Sequence, residues 1–181
     1  AASQKAGHGA KGLAFQGAVV TAQQYMKEVQ EFGDAKALTK ARRTAYDPLV
    51  YRPLRQALGG RARWIVAGGA PLDPELLSFF RGAGVPVYEG YGLTETTAPC
   101  AFTPIGVPFR EGSVGIAFPA FTLRIASDGE VQIKGTCVFH KYHKNDEATE
   151  TSFTKDGWYA TGDLGRIDDD GMLYITGRKK E

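Results

Sequence analysis

Hydrophobic positions recur at helical spacing in the first third of the chain. Tyr25, Met26, Val29 and Phe32 fall three or four residues apart, which sets one apolar stripe against a charged face. Residues 1 to about 60 therefore read as helical. Asp47 followed by Pro48 predicts a fresh helix start, since a carboxylate caps free N–H groups and proline fits a first turn; Leu54 and Leu58 continue it, and Gly59 and Gly60 stop it. Two short β-rich runs follow, "RWIVAG" and "VPVYEG", on either side of "LDPELLSFFRGAG", where Asp73 and Pro74 open a helix and Gly82 to Gly84 close it. Strand, helix, strand predicts a parallel pair. The loop leaving the second strand, "EGYGLTE", would then lie at a carboxyl end of the sheet, where open α/β folds hold their ligands. From about Gly106 the pattern turns to hairpins: Asp-Gly pairs at Asp128, Asp156 and Asp170 stand near the runs "FTLRI", "EVQIKG" and "MLYITG". The predicted fold class is α/β plus β. Residues 1–108 form part of a parallel-sheet α/β subdomain and residues 109–177 a small, mostly antiparallel, β-barrel-like one. The boundary falls near Gly106 to Gly112, and neither a repeat nor a low-complexity segment interrupts it.

Composition narrows the classes of function. The 181 residues are 43% hydrophobic, enough for one sizeable core or two modest ones and too apolar for disorder. Basic and acidic residues interleave to a net charge of +2, so no nucleic-acid stripe or polybasic membrane patch stands out. The longest nearly uncharged apolar stretch, "WIVAGGAPL", is far shorter than the roughly 20 residues that a transmembrane helix needs. Cys100 and Cys137 lie far apart without a CxxC, and the start of the chain lacks the features of a signal peptide, which predicts a cytoplasmic setting.

Three segments carry candidate chemistry. In "EGYGLTE", Gly90 and Gly92 permit close backbone approach and positive φ, and Tyr91 offers a flat face for a planar base. Thr94 can donate to a phosphate oxygen, and Glu95 supplies a hard oxygen ligand suited to magnesium beside substrate phosphates. In "WYATGDLG", Asp163 falls in a tight turn where its carboxylate can accept both hydroxyls of a ribose. In the closing "GRKKE", Arg178 offers a rigid fork and Lys180 a mobile point charge. Alone, each has a plain alternative: a glycine turn with a packed tyrosine, ordinary Thr-Gly-Asp turn chemistry, a solvated charged tail. His140 and His143 form an HxxH with no third ligand nearby and read as surface strand residues; "DDDG" at Asp168 reads as a hairpin turn, and His8, Cys100 and Cys137 as structural.

In combination the segments say more. "GGAPL" at Gly68, "YEGYGLTE" at Tyr88 and "GWYATGDLGRIDDDGMLYITGRKKE" at Gly157 occur in one order, with "GSVG", "GEVQIKG" and "NDEATETSF" between them. This arrangement resembles the adenylate-forming superfamily of acyl-CoA synthetases, firefly luciferase and peptide-synthetase adenylation domains, over nearly the whole chain. The stretch "KARRTAYDPLVYRPLRQALGGRARWIVAGGAPL" is most similar to the long-chain fatty acyl-CoA synthetase branch, of the bacterial FadD type. The resemblance implies ATP, AMP, Mg2+ and coenzyme A as co-substrates, with a fatty acid as the carboxylate. It places Gly69, Ala70, Pro71, Glu89 and Gly90 along the nucleotide and acyl wall, and Tyr91 on adenine beside Gly92. It assigns Thr94 to the phosphates with magnesium, Glu95 to the metal, Asp163 to the ribose and Arg178 to ribose and phosphate. Lys180 would stand at the hinge, residues 178–181, to a C-terminal domain. Fatty carboxylate attack on the α-phosphate then gives acyl-AMP and pyrophosphate, and the coenzyme A thiol completes the thioester without a protein nucleophile.

The family's Ser/Thr/Gly-rich phosphate loop ending in Pro-Lys-Gly is not in these 181 residues, nor is its lysine-bearing C-terminal domain. They are accordingly expected to form a middle piece that folds without adenylating, since one lost electrostatic donor lowers a rate about 100- to 1,000-fold. Two other readings stay open: an aryl, medium-chain or acyl-AMP-forming ligase, and a non-catalytic interaction module that keeps the skeleton of the site.

Overall fold

The computed structural model describes residues 9–70, 72–97, 99–104 and 110–179. His8, Pro71 and Lys180, named above, lie outside them. The chain forms two compact units, Ala1–Val66 with Leu72–Tyr88, and Ala67–Pro71 with Glu89–Glu181.

The first unit is helical. Helix α1 (Ala10–Phe32) runs into α2 (Ala37–Tyr46), a π-turn over Asp47–Tyr51 and α3 (Arg52–Ala57). The expected fresh start at Asp47 does not occur. The helix continues through it, and the Asp47 carboxylate accepts from Arg55 Nη2 at 2.8 and 3.1 Å instead of capping. Proline has no N–H and its ring crowds the carbonyl four residues back; a local widening to π geometry relieves both problems around Pro48.

The predicted stripe of α1 is also revised. Tyr25, Met26 and Val29 are only half-buried and Phe32 is 60% exposed, whereas Ala18, Thr21, Ala22 and Glu28 form the buried line. Small residues win because helix α4 (Pro74–Gly82) approaches closely: a Cβ on Gly82 would lie 2.2 Å from the Ala22 carbonyl oxygen. Tyr51, fully buried against this seam, donates its hydroxyl to the Ala18 carbonyl at 2.6 Å, and burial pushes its phenol up to about 12. The predicted opening of α4 is present, with Asp73 Oδ1 accepting from Leu76 N at 2.9 Å. At its other end, Arg43 and Arg55 donate to the Gly82 and Ala83 carbonyls at 2.6 and 2.7 Å, placing cations at the negative end of the helix dipole.

Buried Glu28 joins α1 to α2 by accepting from Gln24 Nε2, Lys36 N and Thr39 Oγ1. The Gln24 amide, then the Lys36 N–H, hold its carboxyl below the ordinary 4.5. A carboxyl depressed in the folded state stabilises above its unfolded value, and that contribution is lost as pH falls through the folded one. In urea titrations the stability gap between the wild type and Glu28→Gln should therefore be full above about pH 4.5 and shrink below it; a gap independent of pH would contradict the network.

Strands β1 (Ile65–Ala67), β2 (Val87–Gly92), β3 (Pro99–Phe102) and β4 (Ile116–Ala117) form a mixed sheet in that order, with antiparallel ladders between β2 and β3 and between β3 and β4. Strands β5 (Phe121–Ile125), β6 (Glu130–Gly135), β7 (Tyr159–Ile167) and β8 (Leu173–Arg178) curl as an antiparallel half-barrel, and a short helix α5 (Asp146–Ser152) precedes β7. The three Asp-Gly pairs sit where the chain reverses, each glycine at positive φ. Val131, Ile133 and Leu173 are the fully buried centre of this second unit, each contributing about 2 kcal/mol by burial. Among the described residues no helix is long and apolar enough to cross a membrane.

Candidate functional site

Strand β2 carries the first part of the site, and here the sequence reading needs correction. "EGYG" is not loop: residues 89–92 continue the strand because β3 folds back on it, pairing Gly90 with Phe102 and Tyr91 with Ala101 before a bulge at Gly92. Gly90 uses closeness rather than positive φ. A Cβ there would meet the Ala101 carbonyl at 3.4 Å, and the Gly90 carbonyl itself lies 3.0 Å from where a Gly68 Cβ would stand. Gly68 thus lies against Gly90 of β2, and Gly69 follows at φ +84.

Asp163 is likewise not in a turn. It lies in the middle of β7, where Tyr159, Thr161 and Asp163 are buried alternately with half-buried neighbours. Gly162, at φ +75, distorts the strand between them, and its N–H is held by Glu130 Oε1 at 2.8 Å. The Asp163 side chain is 7% exposed. Its Oδ2 accepts the Tyr91 phenol at 2.6 Å and its Oδ1 pairs with Arg178 Nε at 2.9 Å. Arg178 stands directly across the β7–β8 ladder from Asp163, so register alone delivers the guanidinium. Burial, then the bond to Asp163, raises the Tyr91 phenol far above its ordinary value and keeps it a donor. Residues 72 positions apart in sequence therefore meet on one carboxylate.

Beyond β2 the chain makes a 3₁₀ turn, Thr94–Thr96, closed by buried Thr96, whose hydroxyl accepts from Leu93 N and donates to Leu93 O, both at 2.9 Å. This leaves Thr94 exposed, its hydroxyl without a hydrogen bond among the described residues, and Glu95 half-buried. Glu95 Oε1 accepts from Tyr142 Oη at 2.8 Å, and Phe139 N donates to the Glu95 carbonyl at 2.8 Å. Buried Tyr159 stands next to Tyr142: its hydroxyl is 3.5 Å from that of Tyr142, and burial, then the Tyr142 hydrogen bond, then the charge of Glu95 raise its phenol.

Sequence reasoning missed Tyr142, Tyr159, Glu130 and Lys179. Lys179 Nζ pairs with Asp128 Oδ2 at 2.6 Å and with Glu130 Oε2 at 3.0 Å, while its backbone N–H bonds the Gly162 carbonyl. The acidic residue two after an Asp-Gly turn's aspartate was the available signal. His140 and His143 are exposed as expected, but on the loop before α5 and not on a strand. Cys100 is buried, which pushes its thiol up to about 11, and Cys137 is exposed; both are free. Asp168 organises the β7–β8 hairpin by accepting from Met172 N and from Arg110.

A strand-borne carboxylate gripped by a phenol and a guanidinium, beside a glycine wall and a threonine-glutamate turn, is the framework of an adenylate-forming fold. The chain belongs to the AMP-binding enzyme family, whose model matches residues 15–143. Its sequence is 47% identical over 180 residues to the long-chain-fatty-acid–CoA ligase FadD15 of Mycobacterium bovis, covering 99% of this chain and 30% of that protein. It is 39% identical over 147 residues to long-chain-fatty-acid–CoA ligase 6 of Rattus norvegicus, covering 75% of this chain and 21% of that one. The expected kinship to the long-chain branch is met. The chain thus spans about 30% or less of the length of these curated relatives. Among solved structures, apo MatB from Rhodopseudomonas palustris aligns with a TM-score of 0.64 at 30% identity, over 75% of this chain and 30% of that one. O-succinylbenzoate coenzyme A synthetase from Bacillus subtilis, in complex with ATP and magnesium ion, aligns at 0.59 and 31% identity, over 71% and 30%.

Proposed function

We propose that this chain supplies the adenosine and metal wall of an acid–thiol ligase that joins a long-chain fatty acid to coenzyme A through an acyl-adenylate. The convergence of Tyr91 and Arg178 on the Asp163 carboxylate carries this reading. A carboxylate has about four lone-pair positions; two are taken by protein donors, which leaves two for the paired hydroxyls of a ribose. The half-buried ring of Tyr91 is the surface on which adenine stacks, and Gly69, Ala70, Glu89, Gly90 and Gly92 line the same wall; Pro71 belongs to this set by sequence.

Glu95 and Thr94 suit magnesium. Magnesium is characteristically held by one or two carboxylates together with substrate phosphates and keeps several waters, so a single carboxylate and a hydroxyl are an adequate protein share. Among the described residues no group of three or more His, Cys, Asp or Glu gathers to form an all-protein cage, which accords with a metal that arrives with its nucleotide. When bound, the ion would neutralise charge at the phosphates. The fatty carboxylate attacks the α-phosphorus and expels pyrophosphate; the thiol then attacks the acyl carbon and expels AMP. The protein positions and neutralises. Lys180 would act at the hinge between the two steps. The long-chain substrate rests on the 47% identity to FadD15, against 30–31% for the MatB and O-succinylbenzoate synthetase structures. The two free cysteines accord with a reducing, cytoplasmic setting.

The test is a heteronuclear NMR titration of the chain with ATP and magnesium. Saturable shifts are expected at Tyr91, Gly92, Thr94, Asp163 and Arg178 with a dissociation constant of about 1 mM, a binding energy of about 4 kcal/mol. No pyrophosphate should be released when a fatty acid is added. Shifts scattered elsewhere, or none at these residues, would remove the proposal.

A further inference from the structure

We propose that Tyr142 is a positioning residue that fixes the Glu95 carboxylate so that one of its oxygens faces the metal; the inference rests on the metal-binding reading of Glu95 above. Glu95 sits on a turn of only three residues, and its side chain has freely rotating torsions that would have to be ordered whenever a cation bound. The structure orders them beforehand. The Tyr142 phenol holds Oε1 at 2.8 Å, and the Phe139 N–H holds the same residue's backbone carbonyl at 2.8 Å, so one loop grips Glu95 at both ends. Among the described residues Oε2 has no hydrogen-bond partner.

Tyr142 is itself anchored. Its N–H donates to Thr149 Oγ1 of α5 at 3.0 Å, and its ring lies 4.7 Å from that of Phe139, centroid to centroid. Phe139 packs in turn on Phe153 and Tyr159 at 5.6 and 5.5 Å. The hydroxyl is therefore delivered by a rigid aromatic cluster, and its proton goes to the carboxylate because an ionised carboxylate can only accept. Outer groups that orient a metal's ligand in this way affect affinity about 10- to 100-fold.

The decisive variant is Tyr142→Phe, which keeps the ring and removes only the hydroxyl. The probe is Mn2+ with ATP, followed by paramagnetic broadening of the Thr94, Glu95 and Thr96 amide signals. The variant is expected to keep the wild-type urea midpoint and the ATP shifts at Asp163 and Arg178, while Mn2+ affinity at the turn falls about 10-fold. Tyr159→Phe leaves the Tyr142–Glu95 bond in place and removes only a neighbouring hydroxyl 3.5 Å from that of Tyr142, so it should lower Mn2+ affinity much less than Tyr142→Phe does. Wild-type broadening with equal affinity in Tyr142→Phe would overturn the role of Tyr142 and leave the metal reading intact. Equal losses in both variants, or a Tyr142→Phe chain that fails to fold, would reduce Tyr142 to a packing residue and overturn it too. Absence of broadening at the turn in the wild type would overturn both readings together.

Discussion

Asp163→Ala is expected to abolish the nucleotide shifts at Tyr91 and Arg178 and to lower stability by about 3 kcal/mol, read as a reduced urea midpoint at unchanged slope. Two protein donors depend on this carboxylate. Arg178 is 55% exposed in its side chain, so it rehydrates at small cost when its partner goes. Tyr91 does not: it packs against the cluster that includes Cys100, Ala101 and Val131, and without Asp163 its phenol loses the acceptor at 2.6 Å. A buried donor left unmatched costs about 1–3 kcal/mol, and the cavity adds to it. Asp163→Asn separates the two roles, because it keeps an oxygen for the phenol but removes the charge that faces Arg178. It should lose most nucleotide binding and less than half as much stability. If Asp163→Ala were as stable as the wild type to within about 0.5 kcal/mol, the Tyr91 bond would carry no weight in solution, and the central claim about this site would go with it.

Gly115→Ala should be still more damaging to the fold, costing more than about 3 kcal/mol and driving the chain into the insoluble fraction. At φ +94 the residue is in the left-handed region, and an added Cβ would lie 1.9 Å from the Phe102 carbonyl carbon and 2.1 Å from Thr103 N. Both obstacles are backbone and cannot swing aside. Gly115 is also pinned from two sides, its N–H on Ser113 Oγ at 3.0 Å and its carbonyl accepting from Leu173 N at 2.8 Å. Gly112→Ala is the control: φ is +75, but nothing lies within 4 Å of its Cβ, so only the conformational cost of about 1 kcal/mol should appear. Comparable thermal melts for the two variants would show that the close approach at Gly115 is not maintained.

What could be read in advance was local. Asp73 caps its helix, and Asp128, Asp156 and Asp170 start turns, because those events are decided within four residues of chain. The order of the blocks also singled out Tyr91, Asp163 and Arg178, and these three side chains do meet. The errors came where a distant partner decides the outcome. Residues 89–92 looked like loop because nothing nearby reveals that β3 will pair with them. Asp163 looked like turn chemistry because Gly162 carries the positive φ that turns require, inside a strand held by β6 and β8. On α1 the large residues suggested the wrong stripe; only the approach of Gly82 reveals that alanines line the seam. Tyr142 was invisible for a related reason, since its neighbours His140 and His143 drew attention to a metal motif while its own hydroxyl reached 47 residues back in the chain to Glu95.

Glu130 divides its two oxygens between the Lys179 ammonium and the Gly162 amide, one residue away from Arg178 on one strand and from Asp163 on the other. Anyone grafting the Asp163–Arg178 pair onto another scaffold would need to transplant the acid and the lysine along with it. Moved alone, the two strands would keep their sequence and lose the clamp that holds their ends in step.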